Sequence, residues 1–149
     1  MADSFSVPLS GALAQAQRLA NSAQNVANAR TAGALPPRPG AAPPPPPAGA
    51  DGGPPEPFRP LEPGQEALAG PDGRGQGTRA VFRPSSPGFV PEFAPDSPFA
   101  DADGLVAAPD VDPLRETVER MSALRGYQLN LAALRTADEM EREVLDLKA

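Results

Sequence analysis

Apolar residues recur every three or four positions at both ends of this chain and lose that rhythm in between. From Pro109 to Ala149 the sequence runs PDVDPLRETVERMSALRGYQLNLAALRTADEMEREVLDLKA. Its apolar positions are Leu114, Val118, Met121, Leu124, Tyr127, Leu131, Leu134, Ala137, Met140, Val144 and Leu147. That spacing places side chains on one face of an α-helix. After Pro113 only Gly126 interrupts the run, so the pattern predicts a helix of about 35 residues, roughly 50 Å long at 1.5 Å per residue. Such a length does not fit inside a compact domain of 149 residues, so its apolar stripe needs a partner beyond a local core.

The first segment, residues 1–35, has Leu9, Leu13, Ala16, Ala20, Ala23 and Ala27 at alternating spacings of four and three, widened by Leu19 and Val26. It predicts a helix from Val7 to Asn28, with Pro8 tolerated in the first turn and Gly33 as the stop. The seam is Ala-rich and narrow, which suits close packing. Residues 36–57, PPRPGAAPPPPPAGADGGPPEP, favour polyproline II and read as a semi-rigid tether. A P-x-x-P frame at Pro36 and Pro39 is too common in such a stretch to mark a binding site. Residues 58–108 hold short extended runs at 58–61, 78–83 and 88–93, separated by Pro and Gly, as in one or two small hairpins. Residues 109–149 are the long helix. The fold class expected is therefore mainly α, with N- and C-terminal helices paired as a coiled coil and a Pro-rich linker and a small β-hairpin region between them.

Composition narrows the function. With 22 Pro, 14 Gly, 6 Phe, 1 Tyr and no Trp, the chain has little bulky apolar surface to offset the entropy of ordering. The absence of Cys and His removes disulfides, thiolate metal sites and the commonest general base. A net charge of −6 argues against nucleic acid and anionic membranes as partners. No stretch approaches 18 apolar residues, and MADSFSVPLSG lacks the basic start of a cleavable secretory signal.

Candidate chemistry is sparse. Asp101-Ala102-Asp103-Gly104 looks like part of a calcium loop, but the preceding ligand position is Phe99 and the last would be Asp110. Asp and Gly in that order read instead as a turn. Glu116 and Glu119 stand beside Arg115 and Arg120, which is the patterning of surface ion pairs and not of a desolvated acid–base pair. No phosphate-binding Gly loop is present. Catalytic residues, metal ligands, cofactors and a small-molecule substrate are accordingly not expected, and binding remains.

Particular residues carry a family likeness. Ala23, Asn25, Val26, Ala27, Asn28, Thr31 and Gly33 match the A-N-N-x-A-N-x-x-T-x-G-Y pattern of bacterial flagellar basal-body rod proteins. Asp103-Gly104-Leu105-Val106 with Pro109-Asp110-Val111-Asp112 resembles the D-G-Y-V…P-N-V-D lead into that family's last helix. Met121-Ser122-Ala123-Leu124-Arg125-Gly126-Tyr127-Gln128-Leu129-Asn130-Leu131 resembles its M-I-x-A-x-R-x-Y-x-A-N-V core. The short length and the Pro95-Asp96-Ser97-Pro98 lead-in look most like the FlgC-type proximal rod subunit. Gln24, Ala32 and Ala34 depart from the N-terminal pattern, and the Pro run has no counterpart in it.

The resemblance implies a structural subunit. Rod proteins build an axial shaft from their terminal helices, are exported by the flagellar type III system without signal cleavage, and occupy the periplasmic basal body. The partners implied are other flagellar rod subunits, copies of the same chain, and the export gate or inner-membrane ring adaptor. The expected subunit-packing residues are Leu9, Leu13, Asn25, Asn28, Met121, Arg125, Tyr127, Asn130, Leu131 and Leu134. Asn25, Asn28 and Asn130 are amides on apolar stripes, suited either to fixing register or to capping. Tyr127 serves either as a subunit anchor or in packing within the chain, and Arg125 either pairs across a contact or is solvated. The rival reading is a Pro-rich cytosolic adaptor that binds through 36–47 and dimerises through the long helix; it leaves the Asn25–Gly33 pattern unexplained.

Overall fold

The computed structural model describes residues 3–36 and 56–147. Most of the Pro-rich tether, 37–55, lies outside the described residues. Six elements follow in order: α1 (Asp3–Ala27), β1 (Leu61–Ala69), β2 (Gly75–Pro84), β3 (Phe89–Phe93), β4 (Leu105–Pro109) and α2 (Pro113–Asp146). Helix α1 begins earlier than its periodicity predicts, so Pro8 lies inside it, where the ring withholds one helical N–H. Helix α2 opens on Asp112-Pro113. A short acidic residue before the helix and a proline at its first position are both favoured there.

By contact, the chain forms two compact units. The first comprises Met1–Ala23, Pro63–Arg83 and Leu114–Ala149; the second comprises Gln24–Glu62 and Pro84–Pro113. In the first, β1 and β2 form a two-stranded sheet. Their turn closes by Gly70 N–H to the Arg74 carbonyl at 2.8 Å, with Gly73 at φ 75°, a conformation glycine adopts without strain. Across the strands Arg79 meets Glu66 at 2.9 Å, and the Thr78 hydroxyl donates to the Glu66 carbonyl at 3.0 Å. The Thr78 N–H in turn donates to Ser10 Oγ of α1 at 3.1 Å. Gly77 passes so close to Ser10 that a Cβ there would collide with its hydroxyl.

In the second unit, β3 and β4 pair antiparallel, from Phe89 opposite Pro109 to Phe93 opposite Leu105. The far side of β4 is taken by Gly33, whose N–H and carbonyl exchange two 2.9 Å bonds with Ala107. With backbone on both sides, Val106, Ala107 and Ala108 are all buried.

These features correct the mainly α expectation. The fold is mixed, with about 46% helix and 24% strand among the described residues, and two sheets stand where a small β-hairpin region was predicted. The physical reason is β4, whose Val-Ala-Ala run has weak intrinsic strand preference and is held extended by its two neighbours. The helix pairing is corrected too. The helices meet through small and polar residues, described next, and not through the apolar seam a coiled coil requires.

Candidate assembly surface

Within the first unit α1 and α2 run antiparallel and close together. Gly11 faces Asn130, Gly126 faces Gln15, Arg18 faces Glu119 and Ser22 faces Glu116. One sequence number rises as the other falls. Gly11 leaves no room for a Cβ against the Asn130 amide, and Ala14, Ser22 and Ala123 are almost fully buried. Small side chains at helical spacing let two backbones approach, and dispersion contacts grow with that approach. Two polar links fix the register. Arg18 Nη2 and Nε hold Glu119 Oε1 at 2.6 and 2.7 Å, with the side chains 18% and 23% exposed. Ser22 Oγ donates to the Glu116 carbonyl at 3.1 Å.

In the second unit the buried amide of Asn25 grips a strand end. Its Nδ2 donates to the Leu61 carbonyl at 3.0 Å and its Oδ1 accepts the Leu61 N–H at 3.1 Å. Asn28 closes the helix end, with Nδ2 donating to the Gln24 carbonyl at 2.9 Å. Asp101 caps a turn: its Oδ1 accepts the N–H groups of Asp103 and Leu105, each at 2.9 Å. Gly104 follows at φ 75°. Among the described residues no three His, Cys, Asp or Glu side chains gather as a metal site, and no helix is long and apolar enough to cross a membrane.

The bulky apolar residues point elsewhere. On α1, Leu9 and Leu13 are 49% and 58% exposed, and Ala16 and Ala20 beside them are exposed. At 3.6 residues per turn this stripe lies on the side of α1 opposite Gly11, Ala14, Arg18 and Ser22. On α2, Leu114, Val118, Met121 and Leu124 are likewise exposed and lie opposite Glu119, Ala123 and Gly126. Arg125 is exposed as well, while Tyr127, Asn130, Leu131 and Leu134 are half-buried. Asn130 Nδ2 donates to the Gly126 carbonyl of its own helix at 2.8 Å.

The structure therefore brings Asn130 to the inner helix face and leaves Leu9, Leu13, Met121 and Arg125 on outer faces. Sequence reasoning overlooked Gly11, Arg18, Ser22, Glu119 and Ala123. The available signal was small residues at three- and four-residue spacing, Gly11, Ala14 and Ser22 on one helix and Ala123 and Gly126 on the other.

Comparison with known proteins concentrates on this end of the chain. A family model described as "Flagellar basal body rod FlgEFG protein C-terminal" matches residues 102–147, which are β4, the turn before it and α2. Over that segment the chain is similar to the C-terminal part of flagellar basal-body rod proteins. It is 44% identical over 55 residues to the flagellar basal-body rod protein FlgC of Salmonella typhimurium, covering 37% of this chain and 41% of that relative. The FlgC protein of Bacillus subtilis is 36% identical over 55 residues, 37% of each chain. That of Agrobacterium fabrum is 36% identical over 59 residues, 40% of this chain and 42% of its own. The matched region thus spans about two-fifths of these relatives' length.

Proposed function

We propose that this chain is a structural subunit of the bacterial flagellar basal-body rod, built into the shaft through the outer faces of its terminal helices. The observation that carries the reading is the coincidence of the rod-type segment, residues 102–147, with a helix whose apolar residues Leu114, Val118, Met121 and Leu124 are exposed. A helix face of that kind is a contact surface awaiting cover. Helix α1 offers a second face through Leu9 and Leu13. Neighbouring rod subunits, copies of the same chain, and the export gate or inner-membrane ring adaptor are its partners, and neither nucleic acid nor a small-molecule substrate enters the role. The chain reaches the periplasmic basal body by the flagellar export route. No reaction is assigned to it. Its work is mechanical: it transmits torque through packed helices.

The test is to replace the chromosomal copy with an epitope-tagged chain, purify basal bodies and probe them by immunoelectron microscopy and mass spectrometry. The tagged, full-length chain is expected in the rod, and cells lacking it are expected not to swim. Its absence from intact basal bodies of swimming cells overturns the reading.

A further inference from the structure

Strand β3 has one side unpaired. Its register against β4 sets Pro91 opposite Ala107. The Ala94 N–H donates to the Gly104 carbonyl at 2.9 Å, and the Asp110 N–H donates to the Gly88 carbonyl at 3.2 Å. Hydrogen-bonded pairs alternate with non-bonded pairs in an antiparallel ladder, so Val90 and Glu92 turn their backbone groups toward β4. Phe89, Pro91 and Phe93 turn theirs away from it. Ala107 keeps the same phase, because its N–H and carbonyl go to Gly33 on the far side of β4.

Among the described residues no backbone hydrogen bond reaches the outward side of β3. An open edge of this kind is a template for another strand. Its side chains would favour one, since Val90 and Phe93 are 43% and 71% exposed. The strand that matches it best is β3 of a second copy. In a two-fold antiparallel pairing centred on residue 91, Phe89 of each copy meets Phe93 of the other, and aromatic pairs across strands are favourable. At the centre Pro91 meets Pro91, and neither ring nitrogen has a hydrogen to donate. Sliding the register by two residues sets Pro91 opposite Phe89 or Phe93, and a donor is still missing in both halves.

We infer that Pro91 is a guard residue: its missing N–H keeps the open edge of β3 from joining the same edge of a second copy into one continuous sheet. The inference stands apart from the rod reading, which concerns the helices. A proline at an outward edge position leaves the β3–β4 ladder intact, because β4 makes no use of the lost donor. The same ring at Val90 or Glu92 would remove a bond of that ladder. Pro91 is itself exposed, so another side chain can stand there with little loss of packing.

Pro91→Val in the purified full chain tests this, with Pro91→Thr as a second, more polar variant. Sedimentation velocity should show self-association at least about tenfold tighter than wild type, from the hydrogen bonds restored at the centre. The added contact is two-fold and closes on itself at a pair of chains. Amide hydrogen exchange at Phe89 and Phe93 should slow in the paired variant and stay fast in wild type. Far-ultraviolet circular dichroism should show the fold retained. Variants that associate no more tightly than wild type, variants that associate without protecting Phe89 and Phe93, or a wild-type chain that already protects them, each overturn the inference. Loss of the fold in both variants overturns it too, because Pro91 would then shape the strand and not guard its edge. None of these outcomes bears on whether the chain enters basal bodies, which decides the rod reading separately.

Discussion

The amide of Asn25 and the backbone of Leu61 hold each other in two directions at once, the amide donating at 3.0 Å and accepting at 3.1 Å. A side chain here takes the place of a neighbouring strand. It fastens the last turn of α1 to the start of β1 across a separation of 36 residues.

Breaking this clamp should destabilise the second unit. Asn25→Ala removes both bonds at a buried site, with an expected cost of about 1–3 kcal/mol. Asn25→Asp should cost more, because it turns the donating nitrogen into a second oxygen facing the Leu61 carbonyl. Urea denaturation of the variants measures the loss, and amide exchange at Leu61 should quicken first.

The two helical glycines should respond differently to alanine. A Cβ at Gly126 would meet the Gln15 side chain, its Cδ at 2.9 Å, and that side chain can swing aside. Gly126→Ala should therefore be neutral or stabilising by up to about 1 kcal/mol through helix propensity. At Gly11 the obstacle is the Asn130 amide, anchored to the Gly126 carbonyl at 2.8 Å. Gly11→Ala should cost about 1–3 kcal/mol. Opposite shifts of the denaturation midpoint are the expected result.

Removing one partner of the Arg18–Glu119 pair should also be felt. The side chains are mostly shielded from water, so Glu119→Gln should cost about 1–3 kcal/mol, the range for a hydrogen bond to a charged group. Arg142→Gln, which breaks the exposed Asp138 pair, should cost about 0.5 kcal/mol or less. Thermal melts of the two variants side by side check the ranking.

Substitution of the outer apolar face should separate folding from assembly. Leu13 is 58% exposed, so Leu13→Asp should change the melting temperature little. On the proposed rod role the same side chain would be covered by a neighbouring subunit, where an unpaired charge is costly. The variant should be made and exported yet missing from purified basal bodies, and swimming should fail. Leu131, half-buried, is the less selective probe, because Leu131→Asp should reduce stability as well as incorporation.

Both helices were legible in the three- and four-residue recurrence of apolar positions, and α2 runs from Pro113 to Asp146 much as its periodicity predicts. The run at 78–83 falls within β2 and that at 88–93 covers β3, whereas the run at 58–61 reaches β1 only at Leu61. The inward face of α1 was not legible. Hydrophobicity ranks Leu9 and Leu13 above Gly11 and Ser22, but the contact within the chain selects small size, which allows close approach, over apolar bulk. Strand β4 was hidden for a related reason. Leu-Val-Ala-Ala-Pro becomes a strand because Phe89–Phe93 and Gly33 flank it, and neither neighbour is local in sequence. The rod likeness was legible where residues 103–112 and 121–131 keep the family pattern, the part the family model also matches.

The ion pair between Arg18 and Glu119 spans 101 residues, and the first unit is completed only by the final helix. A ribosome adding about 5–20 residues per second exposes α1 some 5–20 s before α2 exists to cover its inner face. Until then Gly11, Ala14 and Ser22 have no native counterpart on the nascent polypeptide. The first unit thus stays open on the nascent chain until α2 is made, whereas the second unit, 24–62 with 84–113, has all its residues before then.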